Sequence, residues 1–348
     1  MKTNQSYMKR CFDLASFHKG GVKTNPLVGA VLVHDNRIIG EGAHQIFGSA
    51  HAEVNAISQV ADEGLLRNSS IYVSLEPCFH YGKTPPCVQL VSEKGIPELY
   101  LSCKDPFEKV AGKSIHLLRE KGVLVHEGIE EMSGLDLIRP FLRGIASGRP
   151  YIILKYAQSA DGKIGYKDRQ VWLTNAFSKL LVHKWRSEAD AIMVGTNTAL
   201  LDNPRLDNRL YFGKKQILRV VADRTLRIPM THHLMNGSNP IIVLTGENRE
   251  SSDGMTYFHS SFQGDYLREF MEFLYARQTG TLIVEGGAQL LQSFIDANLW
   301  DEARVFTVKE QLGSEAITAP ILKNSKLVNK QLVLDDELCQ YYNDSAGQ

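Results

Sequence analysis

The residues with the clearest chemical purpose stand in His51-Ala52-Glu53, followed by Glu76-Pro77-Cys78 and then Cys87. One imidazole and two thiolates supply three of the four tetrahedral positions that zinc prefers, and a catalytic zinc keeps the fourth for water. The pKa of such a water falls from about 15.7 toward 7. A carboxylate beside the metal must then carry protons between the water and a leaving group, and Glu53 is the candidate. Each element alone is weak. A single His-x-Glu is more often a surface pair, and a single buried cysteine is usually a small apolar residue. The joint order of the four residues carries the reading. A purely structural zinc site would need a fourth ligand at short spacing, for which His80 is the nearby contender.

These side chains need particular elements to bring them together. Positions i and i+2 do not share a helix face, so His51 and Glu53 can meet one ion only at the first turn of a helix. The stretch HAEVNAISQVAD (51–62) has the helical spacing to supply it. The stretch PPCVQLVSEKG (85–95) predicts a second helix, opened by Pro and closed by Gly, with Cys87 at its start. Unpaired N–H groups there favour thiolate over thiol. Around them, 26–42 predicts a hairpin turning at Asp35-Asn36. Strands are predicted at 70–77 and 97–103, and a helix at 115–122 is followed by a strand. This alternation predicts an α/β domain, a sheet flanked by helices.

A second chemical feature is Val284-Glu285-Gly286-Gly287, between the apolar run TLIV and a helix-like stretch. Strand, Gly-Gly turn and helix start form a plausible diphosphate cradle, because backbone can approach the anion closely and N–H groups point at it. Such turns are common, and no G-x-G-x-x-G accompanies this one. Strands are predicted near 151–157, 190–195, 217–223, 240–245, 281–285 and 303–308, with helices between. The break in GIASGRPY (144–151), after a helix ending near Leu142, predicts two domains, 1–147 and 148–348. The polar tail after about residue 335 is expected to fray.

Bulk properties bound the function. The 348 residues carry 39 Lys+Arg against 39 Asp+Glu, with 43% hydrophobic content. That balance speaks against a general nucleic-acid or membrane-surface binder. No apolar run approaches the ~20 residues of a membrane helix. The polar start lacks a signal-peptide core. Five cysteines in such a chain are not a disulfide framework, so a cytoplasmic protein is expected. Cys11, Cys103 and Cys339 read as structural.

The His-x-Glu…Pro-Cys pattern is that of zinc-dependent nucleobase deaminases. Nucleoside deaminases space their cysteines as Cys-x-x-Cys, whereas eight residues, FHYGKTPP, separate Cys78 from Cys87 here. This insert, with Asn25-Pro26-Leu27-Val28-Gly29-Ala30, Gly42-Ala43-His44 and Asp105-Pro106, resembles the bifunctional deaminase–reductases of riboflavin biosynthesis. The resemblance continues through LKYAQSADGKI (154–164), Trp172-Leu173-Thr174, VGTNTALLDNPRL (194–206) and VEGG (284–287), and so covers nearly the whole chain. It implies a cytidine-deaminase-like α/β/α domain followed by a dihydrofolate-reductase-like α/β domain, zinc in the first and NADPH in the second. The implied substrate is a phosphorylated ribosylaminopyrimidine, deaminated at its 2-amino carbon and then reduced at C1′ of the ribose. A monofunctional deaminase with a degenerate second domain is the alternative.

By the same resemblance, Asn25, His44, His80, Lys83 and Asp105 line the deaminase pocket. Ala157, Trp172, Thr198, Asp202 and the run from Gly287 contact NADPH, with Arg224 a candidate for its 2′-phosphate. Lys155, Arg186, Leu206, Arg209 and Glu285 face the reductase substrate, and Asp202 is the candidate proton donor. Taken singly, Trp172 and Leu206 would read as core and each Arg as a surface charge. The family also tends to form homo-oligomers. The chain departs from the family pattern at Phe79, Phe107 and Asn197.

Overall fold

Asp35 and Asn36 both adopt the left-handed region (φ 47° and 59°) and close the predicted hairpin between β1 (Gly29–His34) and β2 (Arg37–Ala43). Two such residues in succession give a two-residue turn the twist that antiparallel strands require. The computed structural model describes residues 2–79, 85–106, 111–212, 216–236 and 239–347. The chain divides into two units, Met1–Ser147 and Gly148–Gln348.

The first unit opens with α1 (Lys2–Ser16) before the hairpin. It continues through α2 (Ala52–Ser58), β3 (Ser70–Leu75), α3 (Cys87–Glu93), β4 (Glu98–Cys103), α4 (Lys113–Glu120), β5 (Leu124–His126), α5 (Glu131–Leu137) and α6 (Arg139–Ser147). Its sheet has the order β2-β1-β3-β4-β5, with β3, β4 and β5 parallel. Side chains alternate between the two faces of a strand. Ala30, Leu32, Ile71 and Val73 accordingly pack with Ala56, Val88, Val91 and Leu118 on one face, while Val31, Val33 and Tyr72 pack with Met8 and Cys11 on the other. A Cβ at Gly42 would lie 2.3 Å from the carbonyl oxygen of Ala52. Only glycine therefore lets the first turn of α2 press onto β2 and fix the direction in which that turn points.

The second unit runs through β6 (Tyr151–Gln158), β7 (Lys163–Gly165), α7 (Ala176–Glu188), β8 (Ala191–Gly195), α8 (Thr196–Asp202), β9 (Leu218–Ala222), β10 (Ile241–Thr245) and β11 (Met255–His259). It then continues with α9 (Tyr266–Ala276), β12 (Thr281–Val284), α10 (Ala288–Asp296), β13 (Glu302–Thr307), β14 (Ile317–Thr318), β15 (Ser325–Val333) and β16 (Asp336–Asn343). The large sheet has the order β11-β10-β9-β8-β12-β6-β13-β16-β15. It is parallel from β11 to β13, and β16 and β15 add an antiparallel hairpin. One face packs Ile152, Leu154, Met193, Val220 and Leu244 against Phe270, Met271 and Phe294 of α9 and α10. The other carries Ile192, Val194, Val221 and Val243.

Three expectations are corrected. The helix expected to end near Leu142 continues as α6 to Ser147, with Gly144 buried inside it. It stops at Gly148, whose φ of +63° only glycine adopts without strain. Helices do not fill every gap between strands: among the described residues of 223–240, the link from β9 to β10 carries none. The tail does not fray. Residues 336–343 form β16, and Asp336 is buried and accepts hydrogen bonds from Ser178 Oγ (2.6 Å) and the Asn175 N–H (2.9 Å). Asn343 donates to the carbonyl of Trp300. Leu338 and Cys339 are buried beside them, as are Cys11 and Cys103 in the first unit. Among the described residues, no helix is long and apolar enough to cross a membrane.

Candidate active sites

In the first unit, the chemistry gathers where β3 and β4 end and α2 and α3 begin. Open α/β sheets place ligands at such carboxyl ends of parallel strands. His51 occupies the N-cap of α2 and Glu53 its first turn, while Cys87 opens α3 after Pro86. Cys78 follows β3 by three residues. The ligand atoms of His51, Cys78 and Cys87 all lie within 4.8 Å of one another, with His51 Nδ1 3.4 Å from Cys78 Sγ and 3.3 Å from Cys87 Sγ. Tetrahedral zinc bound to sulfur and imidazole nitrogen separates those atoms by about 3.5 Å, so the three residues fit the ion.

The Cys87 N–H, an unpaired group of the helix start, donates to Cys78 Sγ at 3.2 Å. The hydrogen bond from the Cys87 thiol, opposed by burial and aided by His51, holds the Cys78 thiol down to about 4. Glu53 is 3% exposed. Burial, with the Cys78 charge adding to it, pushes its carboxyl up to about 6.

His44 and Asn25 complete this cluster. His44 is buried, and its Nδ1 lies 3.2 Å from the carbonyl oxygen of Ala50, which can only accept. The proton is therefore assigned to Nδ1, and Nε2 accepts from Asn25 Nδ2 at 3.1 Å. Burial lowers the pKa of His44, keeping it neutral. The His44 and His51 rings meet edge to face at 5.7 Å. His80 and Lys83 lie outside the described residues, as does Phe107. Phe79 is 38% exposed.

The sequence leaves Glu76 without a role. It is buried at 3% exposure and accepts the backbone N–H groups of Asp105 (3.2 Å), Gly112 (3.0 Å) and Ser114 (3.2 Å). Ser114 Oγ in turn donates to the carbonyl of Pro77 at 2.6 Å. Glu76 thus ties the loop carrying Asp105 to the segment that delivers Cys78. A carboxylate between an apolar strand and Pro-Cys was the one available signal.

In the second unit, the carboxyl ends of β6, β8 and β12 converge on a charged cluster. Arg186 of α7 donates to both carboxylate oxygens of Glu285 (2.7 and 2.6 Å) and to the carbonyl of Asp207 (3.1 Å). This pair is largely buried, so Arg186 is no surface charge. Burial by itself pushes the Glu285 carboxyl up, but Arg186, with Lys155 behind it, brings it down to about 2. Burial lowers the pKa of the Lys155 amine, opposed by Glu285. Arg209 pairs with Asp207. Leu206 is 2% exposed in the core with φ 47°, so it reads as core.

Gly286 and Gly287 follow β12 after Glu285, and their peptide bond is cis. Gly286 has φ +144°, and a Cβ on Gly287 would sit 3.0 Å from Thr198 Oγ1. A backbone cradle closed by a hydroxyl, in front of α10, fits a diphosphate. Asp202 ends α8, its pKa raised by burial. Ala157 is half-buried on β6. Trp172 and Arg224 are exposed. Trp172 is 70% exposed with Lys179 Nζ 4.6 Å from its ring centre, and Arg224 lies 5.3 Å over Phe262. Asn197 accepts from Arg227 at 3.0 Å.

A further residue of this cluster, His183, escaped the sequence. Burial, then the charges of Arg186 and Arg209, holds its pKa down to about 4. Between about pH 4 and 6.5 the unfolded chain therefore binds more protons than the folded one. The stability that neutral His183 contributes is complete above pH 6.5 and is lost as the pH falls through about 4. We expect the thermal midpoint of the second unit to fall over this window, and to fall less in His183→Asn. Parallel slopes in the two proteins would contradict the assignment.

Comparison with known proteins places both halves. Residues 1–103 match the cytidine and deoxycytidylate deaminase zinc-binding region, and residues 150–336 match the RibD C-terminal domain. The chain is 35% identical to riboflavin biosynthesis protein RibD of Bacillus amyloliquefaciens, over 86% of this chain and 83% of that one. It is 32% identical to the Actinobacillus pleuropneumoniae RibD, over 96% and 95%. A crystal structure of a Thermotoga maritima diaminohydroxyphosphoribosylaminopyrimidine deaminase/5-amino-6-(5-phosphoribosylamino)uracil reductase superposes with a TM-score of 0.90 at 31% identity, covering 98% of this chain and 99% of that one. The first unit thus carries a cytidine-deaminase-type zinc-binding region and the second a RibD C-terminal domain, both mixed α/β, and a degenerate second half is not favoured. With both domains present in the family's order, the chain belongs to the RibD family of bifunctional deaminase–reductases of riboflavin biosynthesis.

Proposed function

We propose that the first unit deaminates 2,5-diamino-6-ribosylamino-4(3H)-pyrimidinone 5′-phosphate and that the second reduces the ribosyl group of its product to ribityl. The observation that carries this reading is the intactness of both clusters, His51/Glu53/Cys78/Cys87 and Lys155/Arg186/Glu285 with the Gly286-Gly287 cradle. His51, Cys78 and Cys87 would hold the zinc, which would supply a Lewis acid able to make water nucleophilic at neutral pH. The Glu53 carboxylate takes the proton of the attacking water and gives it to the departing amino nitrogen. Asn25, turned by His44, meets the ring amide groups, and Asp105, His80 and Lys83 face the remaining polar atoms of the substrate.

In the second unit, NADPH supplies the hydride. Gly287, Thr198, Ala157 and Trp172 would hold NADPH, with Arg224 the candidate for its 2′-phosphate. Lys155, Arg209 and the Arg186–Glu285 pair position the sugar phosphate. Asp202, its pKa raised by burial, is the candidate donor of the proton that balances the reduction. The chain works in the cytoplasm, and the homo-oligomer that the family forms is expected here.

Metal analysis coupled to a two-step assay tests the reading. The expected results are one zinc per chain, ammonia release from the diaminopyrimidinone, and NADPH oxidation on the deaminated product. A chain that releases ammonia but oxidises no NADPH would remove the reductase step. Cys87→Ser is expected to lose zinc on dialysis and with it ammonia release, while NADPH oxidation on the deaminated product persists. Full metal occupancy in that variant would take Cys87 off the ligand set.

A further inference from the structure

His183 lies on α7 three residues before Arg186, so the two side chains leave the helix on neighbouring positions of one face. It is 2% exposed, and its Nδ1 is buried without a hydrogen-bond partner. Arg186 and Arg209, with Asp207 and Glu285, are all near enough to act on its charge. Lys155 shares the cluster through Glu285 and Arg186. Folded proteins keep few buried polar atoms unpaired, and each one calls for an explanation. Trp300 Nε1, also unpaired, sits in the apolar core. His183 instead shares a helix face with Arg186 and lies within electrostatic range of Arg209, Asp207 and Glu285, where a ligand can supply the missing partner.

The charges in this cluster sort by availability. Arg186 is committed to Glu285 and to the Asp207 carbonyl. Arg209 pairs with Asp207 but is half-exposed, and with Lys155 it is the cation placed to meet an anionic, hydroxyl-rich substrate. The His183 ring is neutral and can donate one hydrogen bond there without adding charge. We propose that His183 is a substrate-binding residue of the reductase half, its Nδ1–H donating to an oxygen of the sugar-phosphate chain that Lys155 and Arg209 attract. This rests on the reductase reading above and adds a residue to it.

The test is steady-state kinetics of NADPH oxidation by the full-length chain and its variants His183→Leu and His183→Asn. Loss of one hydrogen bond to a charged or strongly polar ligand corresponds to about a 10- to 100-fold change in affinity. His183→Leu is expected to raise KM for the deaminated pyrimidine by that factor and to lower kcat less, leaving KM for NADPH near wild type. His183→Asn carries an amide near the place of Nδ1 and is expected to recover most of the loss. An unchanged substrate KM in His183→Leu would overturn the proposal. So would KM values for substrate and NADPH that rise together, the mark of a packing role.

Should His183→Leu fail to fold, His183→Gln replaces it, because its longer amide reaches the place of Nε2. A raised KM in His183→Gln beside a near-normal His183→Asn supports the proposal, and equal values overturn it. A wild-type chain that oxidises no NADPH would sink the reductase reading itself, whereas an active wild type with an unaffected His183→Leu sinks only the role of His183.

Discussion

Glu53→Gln is expected to slow ammonia release by about 10²- to 10⁴-fold, the range that a positioned general acid–base contributes, while zinc content and NADPH oxidation on the deaminated product stay at wild-type levels. Gln keeps the shape and the hydrogen-bonding capacity of Glu53 but can neither take nor deliver a proton. The carboxyl is 3% exposed and raised to about 6, chiefly by burial and then by the Cys78 charge. A group with its pKa near the working pH can both accept the water's proton and return it to the amino nitrogen. His51, Cys78 and Cys87 are untouched, so zinc measured by elemental analysis should remain. Ammonia release within tenfold of wild type would exclude Glu53 as the proton carrier. Loss of zinc together with activity would instead place Glu53 among the groups that hold the metal.

Asp301→Ala is expected to destabilise the second unit by about 3–5 kcal/mol, the penalty for leaving one member of a buried ion pair alone. Arg149 and Asp301 have side chains 5% and 2% exposed. They form two hydrogen bonds, Nη1 to Oδ2 at 2.6 Å and Nη2 to Oδ1 at 2.9 Å. Asp301 Oδ2 also accepts the Ile152 N–H at 2.8 Å, which anchors the start of β6. Removal of the carboxylate strands both the guanidinium and that N–H. The chain's three tryptophans, Trp172, Trp185 and Trp300, all lie in the second unit. Denaturant unfolding followed by tryptophan fluorescence therefore reports this unit alone. The double variant Arg149→Met/Asp301→Leu, which buries no lone charge, should lose much less. A loss below about 1 kcal/mol in Asp301→Ala would show that the pair is not the tie that its burial implies.

Much of the deaminase half is legible in one dimension because its chemistry is local. Metal-ligand types, the helix starts that hold His51 and Cys87, and the Asp35-Asn36 turn each depend on neighbours a few residues away. The Glu76 tie depends on Asp105, Gly112 and Ser114, which are near it only once β3 and β4 lie side by side. Family resemblance supplied the reductase residues as names without an arrangement. The structure then separated them: Lys155, Arg186, Glu285 and Arg209 form one cluster, Leu206 is packed in the core, and Trp172 stands exposed.

The candidate metal-ligand and proton-carrying residues, the hairpin and the α/β alternation were thus determined by the sequence alone, through side-chain type, short spacing and turn chemistry. The tertiary structure decided the rest. Arg186 and Glu285 stand 99 residues apart in the chain and meet because β12 inserts between β8 and β6 in the sheet. The polar tail becomes β16 because β13 offers it an edge and Ser178 and Asn175 satisfy Asp336. The orphan Nδ1 of His183 exists only where α7 packs over that charged cluster. Strand order and helix docking come from the burial of apolar faces by elements distant in the chain, and local spacing carries no record of which distant partner a polar group will find.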